Sequence, residues 1–143
     1  MESIILDTNV LSELMRPKPD QAVMDWFAGR SGDSFYVTAI TEAEILLGIA
    51  LLLDGKRRNA LADAAEAMFK TDFAGRCLSF DTVCAAQYAA IVSGRRRSGF
   101  SCTTEDAQIA SIAMCNGFSL ATRNTGDFLH IDGLVLHNPW DSA

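Results

Sequence analysis

The residues most able to do chemistry in this sequence are acidic side chains placed next to short apolar runs. They are Asp7, Glu42, Glu44, Asp81, Asp106 and Asp127, with Asn124 close to the last of them. Oxygen ligands without thiolates or imidazoles select hard cations such as Mg²⁺ or Mn²⁺. Such a cation offsets the repulsion between converging carboxylates and suits the hydrolysis of phosphodiesters. The acids therefore predict a hard-metal site for phosphoryl chemistry.

Strand-like and helical patterns alternate along the chain and would position these acids. The predicted strands are residues 3–6, 34–40, 77–80, 118–121 and 134–136. The predicted helices are residues 10–15, 21–28, 41–53, 59–73, 82–97 and 105–115. This alternation predicts an α/β fold with a mostly parallel sheet and helices on both faces.

Most of the acids follow a predicted strand, where open parallel sheets bind their ligands. Asp106 differs, because it opens a predicted helix. Its neighbours on the same helical face are Ile109, Ala110 and Ala113, so its side chain is expected to point inward, toward the end of the sheet. The acids are therefore expected to converge at one edge of the sheet.

Each acid also has a purely structural interpretation as a helix cap. Asp7 and Asp81 stand where an N-cap residue is expected. Thr41-x-x-Glu44 matches the capping-box pattern, and Thr103-x-x-Asp106 matches it loosely. Taken singly, each acid is more readily explained as a cap, and only the whole set favours a metal site.

Length and composition exclude several classes of protein. A chain of 143 residues favours one domain, and a hydrophobic content of 49% is too high for intrinsic disorder. The longest apolar run, residues 45–53, is well short of the roughly 20 residues that span a bilayer. The first residues, MESIILD, lack the basic start of a signal peptide, so a cytoplasmic location is expected.

The four cysteines, Cys77, Cys84, Cys102 and Cys115, form no C-x-x-C pair, and the two histidines lie near the C-terminus. This spacing disfavours a zinc site, and four buried, reduced thiols are expected. The sequence also lacks G-x-G-x-x-G, Walker A and G-x-S-x-G motifs, which disfavours a nucleotide cofactor or a serine nucleophile.

Four segments resemble, in order, the motifs of PIN-domain proteins of the VapC type, which are toxin ribonucleases. They are LDTNVLSEL at 6–14, AITEAEILLG at 39–48, DAQIASIA at 106–113 and ATRNTGDF at 121–128. The ending Asn138-Pro139-Trp140 resembles that of the FitB branch. The resemblance covers essentially the whole chain and implies a single PIN domain over residues 1–143.

The resemblance implies a three-layer sandwich with a five-stranded parallel sheet in the order 3-2-1-4-5. That order puts Asp7 on the central strand, between the strands that lead to Glu44 and to Asn124 and Asp127. It moves Asp81 toward the edge of the sheet, where the residue remains a helix cap.

The resemblance also implies which side chains act. Asp7, Glu44, Asp106 and Asp127 are the expected catalytic residues and ligands of Mg²⁺ or Mn²⁺. Glu44 is preferred to Glu42 because the acid of this motif stands four residues before the glycine. Relatives differ on whether the fourth acid stands at position 124 or 127, and Asp127 is the acid here. The expected supporting residues are Thr8, Asn9, Thr122 and Asn124.

Members of this family are metal-dependent endoribonucleases, usually homodimers, and each is inhibited by an antitoxin. The implied partners are therefore an RNA substrate, a second copy and a VapB-like or FitA-like antitoxin, with DNA bound only through that antitoxin. A net charge of −6 opposes RNA binding, although acids around a metal inflate it. Arg16 and Arg123 are candidates for contact with RNA or antitoxin.

Two other functions remain open. A PIN-fold binding module with weak catalysis, acting in an antitoxin–DNA repressor complex, is favoured by Asn124, which adds no charge. Retention of the other acids opposes this reading, because they repel one another unless a cation is bound. A metal-dependent phosphatase is disfavoured because Asp7-Thr8-Asn9 lacks the second acid of a D-x-D motif.

Overall fold

The computed structural model describes residues 1–141, in which short strands alternate with helices. The strands are β1 (Ser3–Leu6), β2 (Ser34–Thr38), β3 (Cys77–Leu78), β4 (Ser119–Ala121) and β5 (Leu136–His137). The α-helices are α1 (Thr8–Leu14), α2 (Gln21–Ala28), α3 (Ala39–Ala50), α4 (Lys56–Ala67), α5 (Thr82–Arg97) and α6 (Thr104–Asn116). A π-helical turn (Met68–Asp72) extends α4, and a 3₁₀-helix (Thr125–Phe128) follows β4. The last two positions of the predicted domain, Ser142 and Ala143, lie outside the described residues.

The five strands form one parallel sheet in the order β3-β2-β1-β4-β5, which confirms the predicted order. In the central strand β1, Ile5 pairs with Tyr36 of β2 and with Leu120 of β4. The parallel pairing brings the carboxyl ends of β1, β2 and β4 to the same edge of the sheet, and the chain leaves each of them toward a predicted site residue.

Strand β1 is buried on both faces, as expected for the centre of a parallel sheet. Ile4 and Leu6 belong to one hydrophobic cluster, which α1, α3 and α4 cover. Ile5 points the other way, into a second cluster with residues of α5 and α6. None of the three side chains is accessible to solvent. Helices on both faces thus fix the position of β1 and of Asp7 at its end.

Helix α3 begins two residues earlier than the sequence pattern predicted. Thr38 is its N-cap, and the Thr38 hydroxyl accepts a hydrogen bond from the Thr41 backbone N–H at 3.1 Å. The predicted capping box at Thr41 and Glu44 is therefore wrong. Because Thr38 already caps the helix, the Glu44 carboxylate is not needed at the helix start and is free to face the site.

Two other predicted caps are confirmed. The Asp81 carboxylate accepts from the Val83 N–H at the start of α5, and the Thr103 hydroxyl accepts from the Asp106 N–H at the start of α6, both at 3.1 Å. Helix α6 ends at Gly117, whose φ of 69° lies in the left-handed region that glycine adopts at many helix C-termini. These caps fix both ends of the helix that carries Asp106.

None of the helices within residues 1–141 has the length and apolar character needed to cross a membrane. All four cysteines are free thiols, but only Cys84 is buried, whereas Cys77, Cys102 and Cys115 are partly exposed.

Candidate active site

Asp7 lies at the end of β1 and is the most buried of the predicted site acids, with 5% of its surface exposed. Its Oδ1 accepts from the Thr8 backbone N–H at 2.8 Å, so it also caps α1. Its Oδ2 accepts from the Thr122 hydroxyl at 2.7 Å. Asp7 is therefore a helix cap and also a candidate site residue. The hydrogen bond that caps α1 uses one carboxylate oxygen and fixes the carboxylate at the edge of the sheet.

Asn9 and Thr122 join the ends of β1 and β4. The Asn9 amide nitrogen lies 3.3 Å from the Thr122 hydroxyl oxygen and 3.5 Å from Asp7 Oδ2. The Asn9 amide oxygen accepts from the Arg123 backbone N–H at 3.2 Å. Thr122 also accepts from the Asn124 N–H at 3.1 Å. The predicted supporting residues Asn9 and Thr122 thus contact Asp7 directly, and these contacts hold its carboxylate in one orientation.

Glu44 reaches the same edge from α3. Its Oε1 accepts from the Thr8 hydroxyl at 2.9 Å, and that hydroxyl lies 3.0 Å from the Thr41 hydroxyl. Glu42 points elsewhere, with its Oε1 4.0 Å from the Cys77 thiol near β3. The structure therefore separates the two acids that sequence pattern alone left as alternatives.

Asp106 and Asp127 complete the set from the side of β4. Asp106 lies in the first turn of α6 and is half-buried, whereas Asp127 lies in the 3₁₀-helix and is exposed. Asn124 precedes that 3₁₀-helix and is also exposed. The negative charge of Asp127 contributes to the raised pKa of both Asp7 and Asp106.

The charges of these acids act on one another. Burial raises the pKa of Asp7 above its ordinary value, and the charges of Glu44 and Asp127 raise it further, against hydrogen bonds that lower it. Burial likewise raises the pKa of Asp106, with further contributions from Asp7 and Asp127. Glu44 has a raised pKa through burial and the charge of Asp106. The four acids form one repelling group.

The donor set of this group suits a hard divalent cation, because it offers only carboxylate oxygens. Within residues 1–141, no three His, Cys, Asp or Glu side chains lie close enough to hold one ion together. Glu44 and Asp127 are exposed, and the Thr8 hydroxyl holds the Glu44 carboxylate, whereas Asp7 is buried and fixed by two hydrogen bonds. The chemistry of the donors thus fits a metal, with Asp7 as the rigid member of the set.

The chain matches the family model of the PIN domain over residues 4–134. It belongs to the PIN domain family. Three relatives cover nearly its whole length: plasmid stability protein StbB of Pseudomonas syringae pv. tomato, toxin FitB of Neisseria gonorrhoeae and VapC ribonuclease Y4jK of Sinorhizobium fredii. They are 43%, 42% and 39% identical to it, over 97%, 96% and 98% of this chain and 99%, 98% and 99% of their own.

Among solved structures, the PIN-domain chain is similar to one in the structure of FitAB bound to the IR36 DNA fragment. The two chains share 41% identity and superpose with a TM-score of 0.89, covering 98% of this chain and 97% of the other. The sheet order and the placement of the helices are therefore those of a PIN domain, which confirms the predicted fold.

The two arginines predicted to contact RNA or antitoxin have different surroundings in this PIN domain. Arg16 is exposed and pairs with the buried Glu13 at 3.2 Å. Arg123 is exposed next to the site, and its guanidinium lies 5.0 Å from the centre of the Trp140 ring. Arg123 is therefore held beside the acids, whereas Arg16 is engaged at the far end of α1.

Sequence reasoning missed two contributors to the site. Glu105, exposed beside Asp106, adds a like charge that raises the pKa of both Asp106 and Glu44. Thr41 contacts the hydroxyl that orients Glu44. Its position one turn before Glu44 on the same helical face was the available signal.

The raised pKa values predict an unusual pH dependence of stability. Folding raises the pKa of Asp7 and Asp106 above the ordinary 3.8 and that of Glu44 above the ordinary 4.5, so the folded chain holds protons more tightly than the unfolded chain. With a chelator present, the free energy of unfolding is therefore expected to rise as the pH falls from about 7 toward about 5, just above the ordinary pKa range of these carboxyls. Urea denaturation at the two pH values measures it. The lowered pKa values of Glu2 and Asp33 act oppositely, but only at lower pH. A free energy that falls over this range contradicts the repelling group.

Proposed function

We propose that this chain is the toxin of a toxin–antitoxin pair and acts as an endoribonuclease that depends on Mg²⁺ or Mn²⁺. The observation that carries the proposal is the group of four mutually repelling carboxylates at the carboxyl edge of the sheet, with Asp7 buried at its centre. A repelling group costs stability, and a bound cation reverses that cost. We propose that the PIN domain extends over residues 1–143.

The relatives support the toxin and nuclease parts of the proposal by their names. One is a toxin, FitB, and another is a VapC ribonuclease, at 42% and 39% identity over nearly the whole chain. The similar chain in the FitAB structure comes from a complex with DNA. We infer that this chain binds an antitoxin of the VapB or FitA kind and meets DNA only through it.

Each acid has a distinct part in the proposed mechanism. Asp7, fixed by Thr8 and Thr122, is the ligand around which the cation is held. Glu44 from α3, Asp106 from the first turn of α6 and Asp127 from the 3₁₀-helix would supply the other carboxylates that hold it. A bound Mg²⁺ or Mn²⁺ supplies Lewis acidity, which activates water and offsets negative charge on the phosphodiester.

The remaining polar groups orient these acids or the substrate. Thr8 donates to Glu44 and so fixes the carboxylate that comes from α3. Asn124, exposed beside the site, is the group assigned to position water. None of the four proposed ligands has a histidine partner within hydrogen-bonding distance among the residues described, so proton transfer falls to a carboxylate or to solvent. Arg123 lies where it can contact an RNA phosphate or an antitoxin side chain.

The exposed face of α3 supports the proposed homodimer. Leu46, Leu47 and Leu51 are exposed on or next to this helix, where a monomer would normally present polar side chains. A second copy of this chain is the partner that we propose for this surface.

The competing function is that of a binding module with weak catalysis, and Asn124 favours it because an amide adds no charge to the site. Cleavage of RNA decides between the two functions. The purified chain is expected to cut single-stranded RNA with Mn²⁺ or Mg²⁺ and to stop when a chelator removes the ion. Cleavage that continues in chelator contradicts metal dependence, and an intact RNA in every condition favours the binding module.

A further inference from the structure

Arg95 is a buried charge that lies close to the site. It stands in the last turn of α5 and is 3% exposed, whereas its neighbours Arg96 and Arg97 are exposed. The three arginines therefore do not all lie in solvent at the end of the helix, although three consecutive basic residues would allow it. Burying a guanidinium costs free energy unless its surroundings compensate. Among residues 1–141, the ion pairs found do not include one to Arg95.

The partners of Arg95 are two backbone carbonyls on different segments. Its Nη1 donates to the Leu129 carbonyl, and its Nη2 donates to the Ser101 carbonyl at 3.0 Å. Ser101 lies in the loop that leads into α6 and Asp106. Leu129 directly follows the 3₁₀-helix that carries Asp127. One guanidinium thus bridges the two segments that hold these acids.

Aromatic packing surrounds the same guanidinium. The Phe100 ring centre lies 5.5 Å from the Arg95 guanidinium carbon, and the Phe100 N–H donates to the Arg95 carbonyl at 2.8 Å. On its other side, Phe100 stacks on His130 with the ring centres 4.4 Å apart. His130 has a positive φ of 64°, which is uncommon for a residue other than glycine. The stack therefore joins the same two segments a second time.

The charges of Arg95 and of two site acids act on the same neighbouring thiol. Cys102, between Ser101 and Thr103, has a pKa that burial raises, that the charge of Arg95 lowers, and that Asp106 and Asp127 raise. The guanidinium and the two carboxylates therefore act on one thiol. The Nε of Arg95 is buried without a hydrogen-bond partner. The hydrogen bonds of this guanidinium therefore come from its two Nη atoms and go to the two carbonyls.

We propose that Arg95 is a positioning residue: its guanidinium fork fixes the loop before Asp106 relative to the segment after Asp127, so that both carboxylates face the same ion. The inference rests on the proposed metal-dependent function. It depends on the fork geometry, because lysine carries the same charge on a single nitrogen and cannot bridge two carbonyls in the same way.

The test compares Arg95→Lys and Arg95→Met with Arg96→Met, which removes an exposed charge from the same helix turn. Amide hydrogen exchange without divalent ions measures the two segments directly. In Arg95→Lys, exchange in residues 98–103 and 129–131 is expected to rise about tenfold, with β1 unchanged. Titration with Mn²⁺ is expected to give about tenfold weaker binding, since loss of a group that orients ligands costs roughly 10–100-fold in affinity. Arg96→Met should match the wild type in both measurements.

The outcomes separate this proposal from the proposed function. Wild-type exchange and Mn²⁺ affinity in Arg95→Lys would overturn the role of the fork, and faster exchange in only one segment would show that Arg95 does not join them. If Arg95→Met does not fold, Arg95→Lys still decides. If the wild type binds no Mn²⁺, the proposed function fails, and so does the inference that Arg95 makes the Asp106 and Asp127 carboxylates face one ion. The exchange data then still support or overturn the bridge itself.

Discussion

Asp7→Asn is expected to abolish RNA cleavage while making the folded chain more stable. The loss should be about a hundredfold or more, because groups that only orient a ligand already cost roughly 10–100-fold. A hundredfold loss corresponds to about 2.7 kcal/mol of transition-state stabilisation. The carboxylate is buried among like charges, and burial is the main cause of its raised pKa. Asparagine retains the acceptor for the Thr8 N–H but loses the Oδ2 that accepts from the Thr122 hydroxyl. Because the cost of burying the charge outweighs that hydrogen bond, the free energy of unfolding at neutral pH should rise.

The two readouts of Asp7→Asn together distinguish a lost ligand from a damaged fold. Cleavage assays with Mn²⁺ and urea denaturation in chelator are made on the same preparation. The increase in stability between about pH 7 and about pH 5 should also become smaller, because one of the titrating acids is gone. Activity near that of the wild type contradicts the role of Asp7 as a ligand. Lower stability together with lost activity would attribute the effect to misfolding.

Glu44→Gln is expected to lower cleavage by about a hundredfold, whereas Glu42→Gln should change it less than about twofold. The two glutamates lie within the same turn of α3, but only Glu44 contacts Thr8 at the edge of the sheet. Glu42 lies near Cys77 on the other side of the helix. Both substitutions remove one charge from one helix, so Glu42→Gln is a matched control.

The measurement that decides is the ratio of the RNA cleavage rates of Glu44→Gln and Glu42→Gln. Equal losses in Glu42→Gln and Glu44→Gln would mean that the negative charge of α3 as a whole matters and not the Glu44 carboxylate. A loss in Glu42→Gln alone would contradict the assignment of the site to Thr8 and Asp7.

Hydrophobic patterning was sufficient to predict the centre of the fold. Strand β1 and helices α2 and α5 have the predicted bounds. An aspartate marks one boundary of each apolar segment, because Asp7 follows β1 and Asp20 and Asp81 cap α2 and α5. The start of α3 could not be predicted in this way. Ile40 is β-branched and reads as strand, yet Thr38 caps the helix and starts it at Ala39. The predicted helix at 59–73 divides into α4 and a π-helical turn, a change of hydrogen bonding without a sequence signal.

The site was predictable where a residue's place along the chain fixes its place in the sheet. Asp7 follows the central strand, and Asp106 heads an apolar helical face, so both were expected at the edge. The position of Asp127 depends on the path of an irregular segment, so it was expected at the site from the resemblance alone. The effect of its charge on the pKa of Asp7 supports that expectation. The burial of Arg95 could not be predicted, because a basic triplet at a helix end is usually solvated.

Titration of the purified chain with Mn²⁺ and Mg²⁺ by calorimetry, repeated on Asp7→Asn, tests the central claim most directly. The claim is that the four acids form a hard-metal site around Asp7. It predicts binding to the wild type and a loss of binding in the variant, with both proteins folded by circular dichroism. Absence of binding in a folded wild type, or equal binding in Asp7→Asn, would contradict the claim and leave Asp7 with its structural role as the cap of α1.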